Sequence, residues 1–177
     1  LEPRAAVLSS RDRIISDLKD ILAEDCLVHE PRELVPFETD AFVSYRRLPL
    51  AVALPKTTEE VAAVLKYCHR YGIPVVPRGA GTSLSGGAIP QEDAVVIGLS
   101  KMSAILELDF YNRTAMVQAG VTHFSISGEA GAEGFFYSPD PSSPLACPIC
   151  RHVGRTFGGG HLFLFHHCTC RRRPPFC

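Results

Sequence analysis

Apolar and polar positions along this chain follow two different periods, and the change between them falls near residue 50. Over residues 10–23 the apolar positions are Ile14, Ile15, Leu18, Ile21 and Leu22. That i, i+3, i+4, i+7 spacing predicts a helix with one buried face and a charged face opposite. Pro31 and Pro36 interrupt any continuation, so little regular structure is expected over residues 26–36, and Phe37-Glu38-Thr39-Asp40 reads as a connection. From Leu50 the pattern becomes short apolar runs around one strongly helical segment, as in a β-α-β unit. Leu50-Ala51-Val52-Ala53-Leu54 is the first strand, closed by Pro55-Lys56. Thr57 or Thr58 caps the next helix, with Glu60 three residues after Thr57 as in a capping box. Val61, Val64, Leu65 and Cys68 mark its apolar face, Gly72 stops it, and Ile73-Pro74-Val75-Val76-Pro77 forms the second strand. Further strands are predicted over residues 94–99, 104–108 and 114–119, and a short helix over 124–132 ending near Gly134.

Composition places this pattern in the soluble globular class. With 177 residues, 46% hydrophobic and 21% charged, the chain has the material for one buried core and reads neither as a disordered chain nor as an obvious membrane span. No stretch approaches the roughly 18 consecutive apolar residues of a spanning helix, and Leu1-Glu2-Pro3-Arg4 does not open a signal peptide, so a soluble, intracellular, cytoplasmic protein is expected. The net charge of -1 conceals an asymmetry. All 19 acidic residues precede residue 144. The remaining 34 residues carry Arg151, Arg155, Arg171, Arg172 and Arg173 with neither acid nor lysine, together with Cys147, Cys150, Cys168, Cys170, Cys177, His152, His161, His166 and His167.

The most informative stretch follows the second strand: Pro77-Arg78-Gly79-Ala80-Gly81-Thr82-Ser83-Leu84-Ser85-Gly86-Gly87. Glycines let backbone N–H groups turn toward an anion, and the hydroxyls of Thr82, Ser83 and Ser85 add hydrogen bonds suited to phosphate oxygens, so a diphosphate is the natural guest. No Gly-Lys-Ser/Thr closes the loop, as a Walker A motif requires, and Leu84 stands at the last position of a Gly-x-Gly-x-x-Gly fingerprint. A P-loop or Rossmann assignment therefore fails. The plain alternative is a flexible glycine turn between two strands.

Three segments in this order resemble a known family: Tyr45-Arg46-Arg47-Leu48-Pro49-Leu50-Ala51-Val52, then Leu54-Pro55-Lys56-Thr57-Thr58-Glu59-Glu60-Val61, then residues 77–87. Over about residues 11–147 the chain is similar to FAD-linked oxidases of the vanillyl-alcohol-oxidase (PCMH-type FAD-binding) superfamily. It resembles in particular the flavoprotein catalytic subunits of bacterial glycolate oxidases and the cytochrome-type D-lactate dehydrogenases. The resemblance implies an α+β fold, the N-terminal subdomain of a PCMH-type FAD-binding fold, with a β-α-β start and a small mixed sheet with flanking helices, incomplete here. It further implies that Pro77, Arg78, Gly79, Ala80, Gly81, Thr82, Ser83, Leu84, Ser85, Gly86 and Gly87 wrap the FAD diphosphate. Pro139, Asp140, Ser142 and Ser143, in the Tyr137-Ser138-Pro139-Asp140-Pro141-Ser142-Ser143 segment, would approach the flavin. Some relatives attach FAD through a histidine in this loop; the loop here has none, so FAD is expected to be held non-covalently. The implied chemistry is oxidation of a 2-hydroxy acid, glycolate or D-lactate, to the 2-oxo acid. No catalytic base emerges from His29, His69 or His123, which read as surface or core histidines, and family members keep substrate and metal-binding histidines in a later domain. By the same resemblance the partners are FAD, a 2-hydroxy acid in the full-length relatives, and further glycolate oxidase subunits peripheral to the inner membrane. Neither nucleic acid nor a membrane span is expected.

The pattern breaks after Leu145-Ala146-Cys147. Where the family continues with Gly-Gly-Asn against the cofactor, this chain has Cys150-Arg151-His152, while Val153, Gly158, Gly159 and His161 still fall in register. The tail is thus expected to be a corrupted or frameshifted continuation. The domain plan is a helical lead over residues 1–48, the first part of the FAD-binding domain over 49–147, and an aberrant, disordered tail over 148–177. A chain of this plan is expected to bind FAD weakly or not at all and to be inactive alone. A rival from another class is a small zinc-stabilised binding module. Its ligands would come from Cys147-x-x-Cys150 and His166-His167-Cys168-Thr169-Cys170, although the second half lacks a standard ligand spacing. Arg171, Arg172 and Arg173 beside two prolines read as a solvated run.

Overall fold

A computed structural model describes residues 3–137 and 148–150, together with the strand backbone of residues 170–172. It divides into two units, Leu1–Lys101 and Met102–Cys177.

In the first unit the helical period near the N-terminus produces α1 (Ala5–Ser9) and α2 (Arg11–Ile21), with Ile14, Ile15 and Leu18 buried as the spacing predicts. α1 lies ahead of the predicted helix. It is tied down by Arg4, whose backbone N–H donates to Asp93 Oδ2 at 2.9 Å and whose guanidinium donates to the Gly72 carbonyl. The stretch expected to be irregular instead holds β1 (Leu27–Val28) and α3 (Pro31–Leu34), each flanked by a single 3-10 turn. Pro31 opens α3 rather than breaking a helix, because the first helical position needs no N–H donor.

The β-α-β prediction becomes β2 (Ala51–Ala53), α4 (Thr58–Arg70) and β3 (Val75–Arg78), followed by β4 (Val95–Gly98). Thr57 caps α4 by accepting the Glu60 N–H at 3.2 Å. Glu60 Oε2 reaches back to the Lys56 N–H at 2.6 Å, one residue before the usual capping-box partner. Gly72, at φ 63°, takes the left-handed conformation that ends such a helix.

The four strands form one sheet in the order β1-β2-β4-β3; β2, β4 and β3 are parallel, and β1 runs antiparallel to β2 with Leu27 opposite Ala53. This is the small mixed sheet with flanking helices that the sequence resemblance implies. β4 lies between the two strands of the β-α-β unit, and its four residues are all buried, which explains its unbroken apolar run. One face of the sheet packs Ala51, Ala53, Val95 and Ile97 with Leu18 of α2 and Val64 and Cys68 of α4. The other packs Val52 and Val96 with Leu34 of α3. Successive residues of β2 and β4 thus feed opposite faces, as the twofold period of a strand requires.

The second unit is built from β5 (Ile105–Asp109) and β6 (Thr114–Val117), an antiparallel pair with a bulge between Ile105 and Glu107. α5 (His123–Gly131) follows, capped by Thr122, which accepts the Ser125 N–H. β7 (Phe135–Tyr137) pairs antiparallel with β8 (Cys170–Arg172). Val121, Ile126, Tyr137 and Ile149 make its core, with Ile105, Val117 and Phe135 against them. Among the described residues no helix is long and apolar enough to cross a membrane.

Candidate functional site

β3 ends at Arg78, so the glycine-rich loop leaves the carboxyl end of a parallel strand, the end at which open α/β sheets take their ligands. β3 is an edge strand, which is why it tolerates Pro77: a residue without an N–H is confined to edges, where no neighbour asks for one. Beyond it Gly81 (φ 70°) and Gly86 (φ 71°) adopt left-handed conformations that other residues take only under strain. Ser85 N–H donates to Ser83 Oγ at 3.3 Å, and Ile89 N–H to the Gly86 carbonyl at 3.2 Å, closing the far side of the turn. Leu84 is 75% exposed at the tip.

Two side chains fasten this loop to the segment before β2. Arg78 Nη1 donates to the Thr39 carbonyl at 2.7 Å and Nη2 to the Pro36 carbonyl at 3.1 Å, with the guanidinium 5.6 Å from the centre of the Phe37 ring. Burial pushes the Arg78 pKa down, and the nearby Asp40 charge works against that shift. Asp40 is buried; its Oδ1 accepts the Phe42 N–H at 2.8 Å and its Oδ2 the Ala88 N–H at 3.4 Å. The Ala41 N–H donates to the Gly81 carbonyl at 3.0 Å. Asp40 escaped the sequence reading, which took residues 37–40 as a connection. The only local signal was an acid two residues before an amide it accepts, a common turn pattern.

At the same end of the sheet Asp25 Oδ2 lies 2.8 Å from both Lys56 Nζ and Lys101 Nζ. These two lysines hold the Asp25 carboxyl well below the usual range and join the start of β1 to the ends of β2 and β4. Cys26 and Cys68 are buried thiols whose pKa values burial raises, so both are packing groups. His29 sits against Glu30, with Nδ1 3.3 Å from Oε1; His69 lies in the last turn of α4; His123 is buried at the start of α5 beside Tyr137. Pro139, Asp140, Ser142 and Ser143 lie outside the described residues, as do all the zinc-module ligands except Cys150 and the backbone of Cys170. Among the described residues no group of three or more His, Cys, Asp or Glu is placed to hold a metal.

The loop's composition suits an anionic guest. Residues 79–87 contain no acid, four of them lack a Cβ, and three carry hydroxyls. The nearby Asp40 has both oxygens engaged by backbone N–H groups and so faces the protein rather than a bound anion.

Comparison with known proteins agrees with this chemistry. Residues 49–169 match the FAD binding domain family. The chain is 44% identical over 135 residues to glycolate oxidase subunit GlcD of Escherichia coli K12, a match covering 76% of this chain and 27% of that protein. It is 38% identical over 129 residues to D-lactate dehydrogenase of Archaeoglobus fulgidus, covering 72% of this chain and 29% of that one. Its fold superposes on the solved structure of alkyldihydroxyacetonephosphate synthase with a TM-score of 0.77 at 19% identity, over 89% of this chain and 30% of the other. The chain thus spans little more than a quarter of the length of these curated relatives.

Proposed function

Because the chain belongs to the FAD binding domain family, we propose that it is the N-terminal part of an FAD-dependent enzyme oxidising a 2-hydroxy acid, glycolate or D-lactate, to the 2-oxo acid. The observation that carries the reading is the 44% identity to a glycolate oxidase subunit, in a chain whose glycine loop leaves the carboxyl end of a parallel strand. When bound, FAD supplies the two-electron acceptor for that oxidation. The chain's own residues bind and orient it. Backbone N–H groups of residues 79–87 and the hydroxyls of Thr82, Ser83 and Ser85 hold the diphosphate, and Pro139, Asp140, Ser142 and Ser143 approach the flavin. In this reading attachment is non-covalent, a proposal that rests on the absence of a histidine from residues 77–87. No residue here is assigned as the base, and the 177 residues alone are proposed to be inactive and to hold FAD weakly. In its assembled form the enzyme works with further oxidase subunits peripheral to a membrane. The zinc-module alternative gains no support from these relatives, which are named as a glycolate oxidase subunit and a D-lactate dehydrogenase.

Titration of FAD against the 177-residue chain, followed by quenching of flavin fluorescence, tests the reading. Saturable binding that is abolished in Gly81→Val and indifferent to EDTA is the expected result. In that variant the left-handed backbone is strained and the new side chain meets the Arg78 guanidinium. Loss of fold on EDTA treatment, with no flavin bound, would overturn it in favour of a metal-stabilised module.

A further inference from the structure

We propose that Arg78 and Asp40 are positioning residues that brace residues 36–42 against the glycine loop, and that Arg78 shapes the loop instead of touching the diphosphate. The second half of this rests on the FAD reading; the brace itself does not.

The Arg78 guanidinium points back into the protein. Two of its N–H donors are engaged by the carbonyls of Thr39 and Pro36, and its plane lies near the Phe37 ring. It also lies directly under Gly81: a Cβ there would sit 2.2 Å from Nη2 and 2.6 Å from Cζ. Gly81 is therefore required twice, by its positive φ and by the cation beneath it. Asp40 spans the same gap from the other side, accepting one N–H from its own segment, Phe42, and one from the far end of the loop, Ala88. Between them the Ala41 N–H holds the Gly81 carbonyl. In a planar trans peptide the carbonyl of one residue and the N–H of the next point in opposite directions. Fixing the Gly81 carbonyl toward residue 41 thus turns the Thr82 N–H away from the brace. The loop is held at its start by Arg78, in its middle by the Gly81 carbonyl and at its end by the Ala88 N–H. The nearby Asp40 charge favours the charged form of Arg78.

Hydrogen exchange of the flavin-free chain tests the brace without reference to any ligand. Arg78→Lys keeps the charge but loses the planar fork that reaches two carbonyls. Asp40→Asn loses the negative acceptor and faces one N–H with an amide donor. Each is expected to speed exchange at Phe42 and Ala88 at least about tenfold, the scale of one lost charge-assisted hydrogen bond, while β2 and β4 amides keep their protection. The double variant is expected to go little further than the stronger single one, because both act on one brace. Unchanged loop exchange in the variants, or fully additive effects, would overturn the proposal; if Asp40→Asn loses protection in β2 and β4, Arg78→Lys decides alone. FAD titration at two ionic strengths distinguishes the roles of Arg78. As a positioning residue Arg78 lends no charge to the ligand, so Arg78→Gln binds about tenfold more weakly, like Asp40→Asn, with the salt dependence of wild type. As a phosphate ligand, its replacement by Gln would make binding markedly less salt-dependent, and that result overturns the assignment. A chain that binds no FAD at all removes the claim that this loop holds a diphosphate within the 177 residues, and with it the role of Arg78 toward that group, and the exchange result still settles the brace.

Discussion

The two units of the chain use similar residue types, but their described residues are closed to different degrees. In Leu1–Lys101 a four-stranded sheet is covered on both faces, and Leu18, Cys26, Ala51, Val52, Val64 and Val95 are wholly buried. Among the described residues of Met102–Cys177 the strands come in two separate pairs, and Val121, Ile126, Tyr137 and Ile149 pack together. Leu106 and Met116, on the β5–β6 pair, remain about 60% exposed. A two-stranded ribbon is marginal in water because its strands have no neighbours on either side and little apolar area is removed from solvent. The difference teaches where a binding loop is best hung: residues 79–87 spring from a sheet covered on both faces, so their geometry is set by a rigid scaffold.

The sharpest way to break this comparison is to cut the two cores equally. Leu18→Ala removes a side chain with no exposure, in a sheet-and-helix interior that has little room to collapse. It is expected to lower the stability of the first unit by about 2–5 kcal/mol, read from hydrogen exchange of β2 and β4 amides. Ile126→Ala in the second unit is expected to fall near the lower end of that range, because a small cluster beside exposed strands relaxes into the gap more readily. A larger loss for Ile126→Ala would show that the second unit is the better packed of the two.

A smaller effect comes from a thiol within the first core. Burial pushes the Cys68 pKa up to about 11 from an ordinary thiol value near 9. Its neutral form is thus favoured in the folded state, and the associated stability is complete below pH 9. As pH rises, the unfolded thiol ionises first, and the contribution is lost between about pH 9 and pH 11. About 1–2 kcal/mol is expected to disappear across that window, allowing for solvent screening. Urea midpoints measured from pH 8 to 11 check this: Cys68→Ala should flatten the slope relative to wild type, and parallel slopes would exclude the thiol as the cause.

What the sequence made legible follows the same division between local and distant causes. α4 was readable because its cap, Thr57 with Glu60, and its apolar face are all within a few residues of one another. β4 was readable as a continuous apolar run, and the glycine loop by its composition, and residues 49–169 fall in the flavin family that the loop and its flanking segments suggested. The insertion of β4 between β2 and β3 was not readable, since periodicity says which residues are buried and not which strand lies beside which. Nor was the brace: Arg78 and Thr39 are 39 residues apart and Asp40 and Ala88 are 48 apart, so no short pattern links them. α3 was missed for a local reason, because Pro31 breaks a helix from within yet starts one at its first position.

The finest test concerns the β5–β6 turn, where the second unit carries a strained backbone of its own. Arg113 has φ 57°, the one described non-glycine residue in the left-handed region, immediately before β6. Asp109 steadies the same turn, accepting the Asn112 N–H at 2.9 Å and its side-chain Nδ2 at 2.6 Å, and these bonds hold the Asp109 carboxyl below its ordinary pKa. A glycine at 113 relieves a steric cost of about 1 kcal/mol, but it also gives the unfolded chain more conformations to lose on folding. The net gain in Arg113→Gly is expected to be about 0.5 kcal/mol, slowing exchange of β5 and β6 amides about twofold while those of β2 and β4 serve as reference. Faster exchange in β5 and β6 would mean that the arginine side chain holds the hairpin more than its backbone strains it.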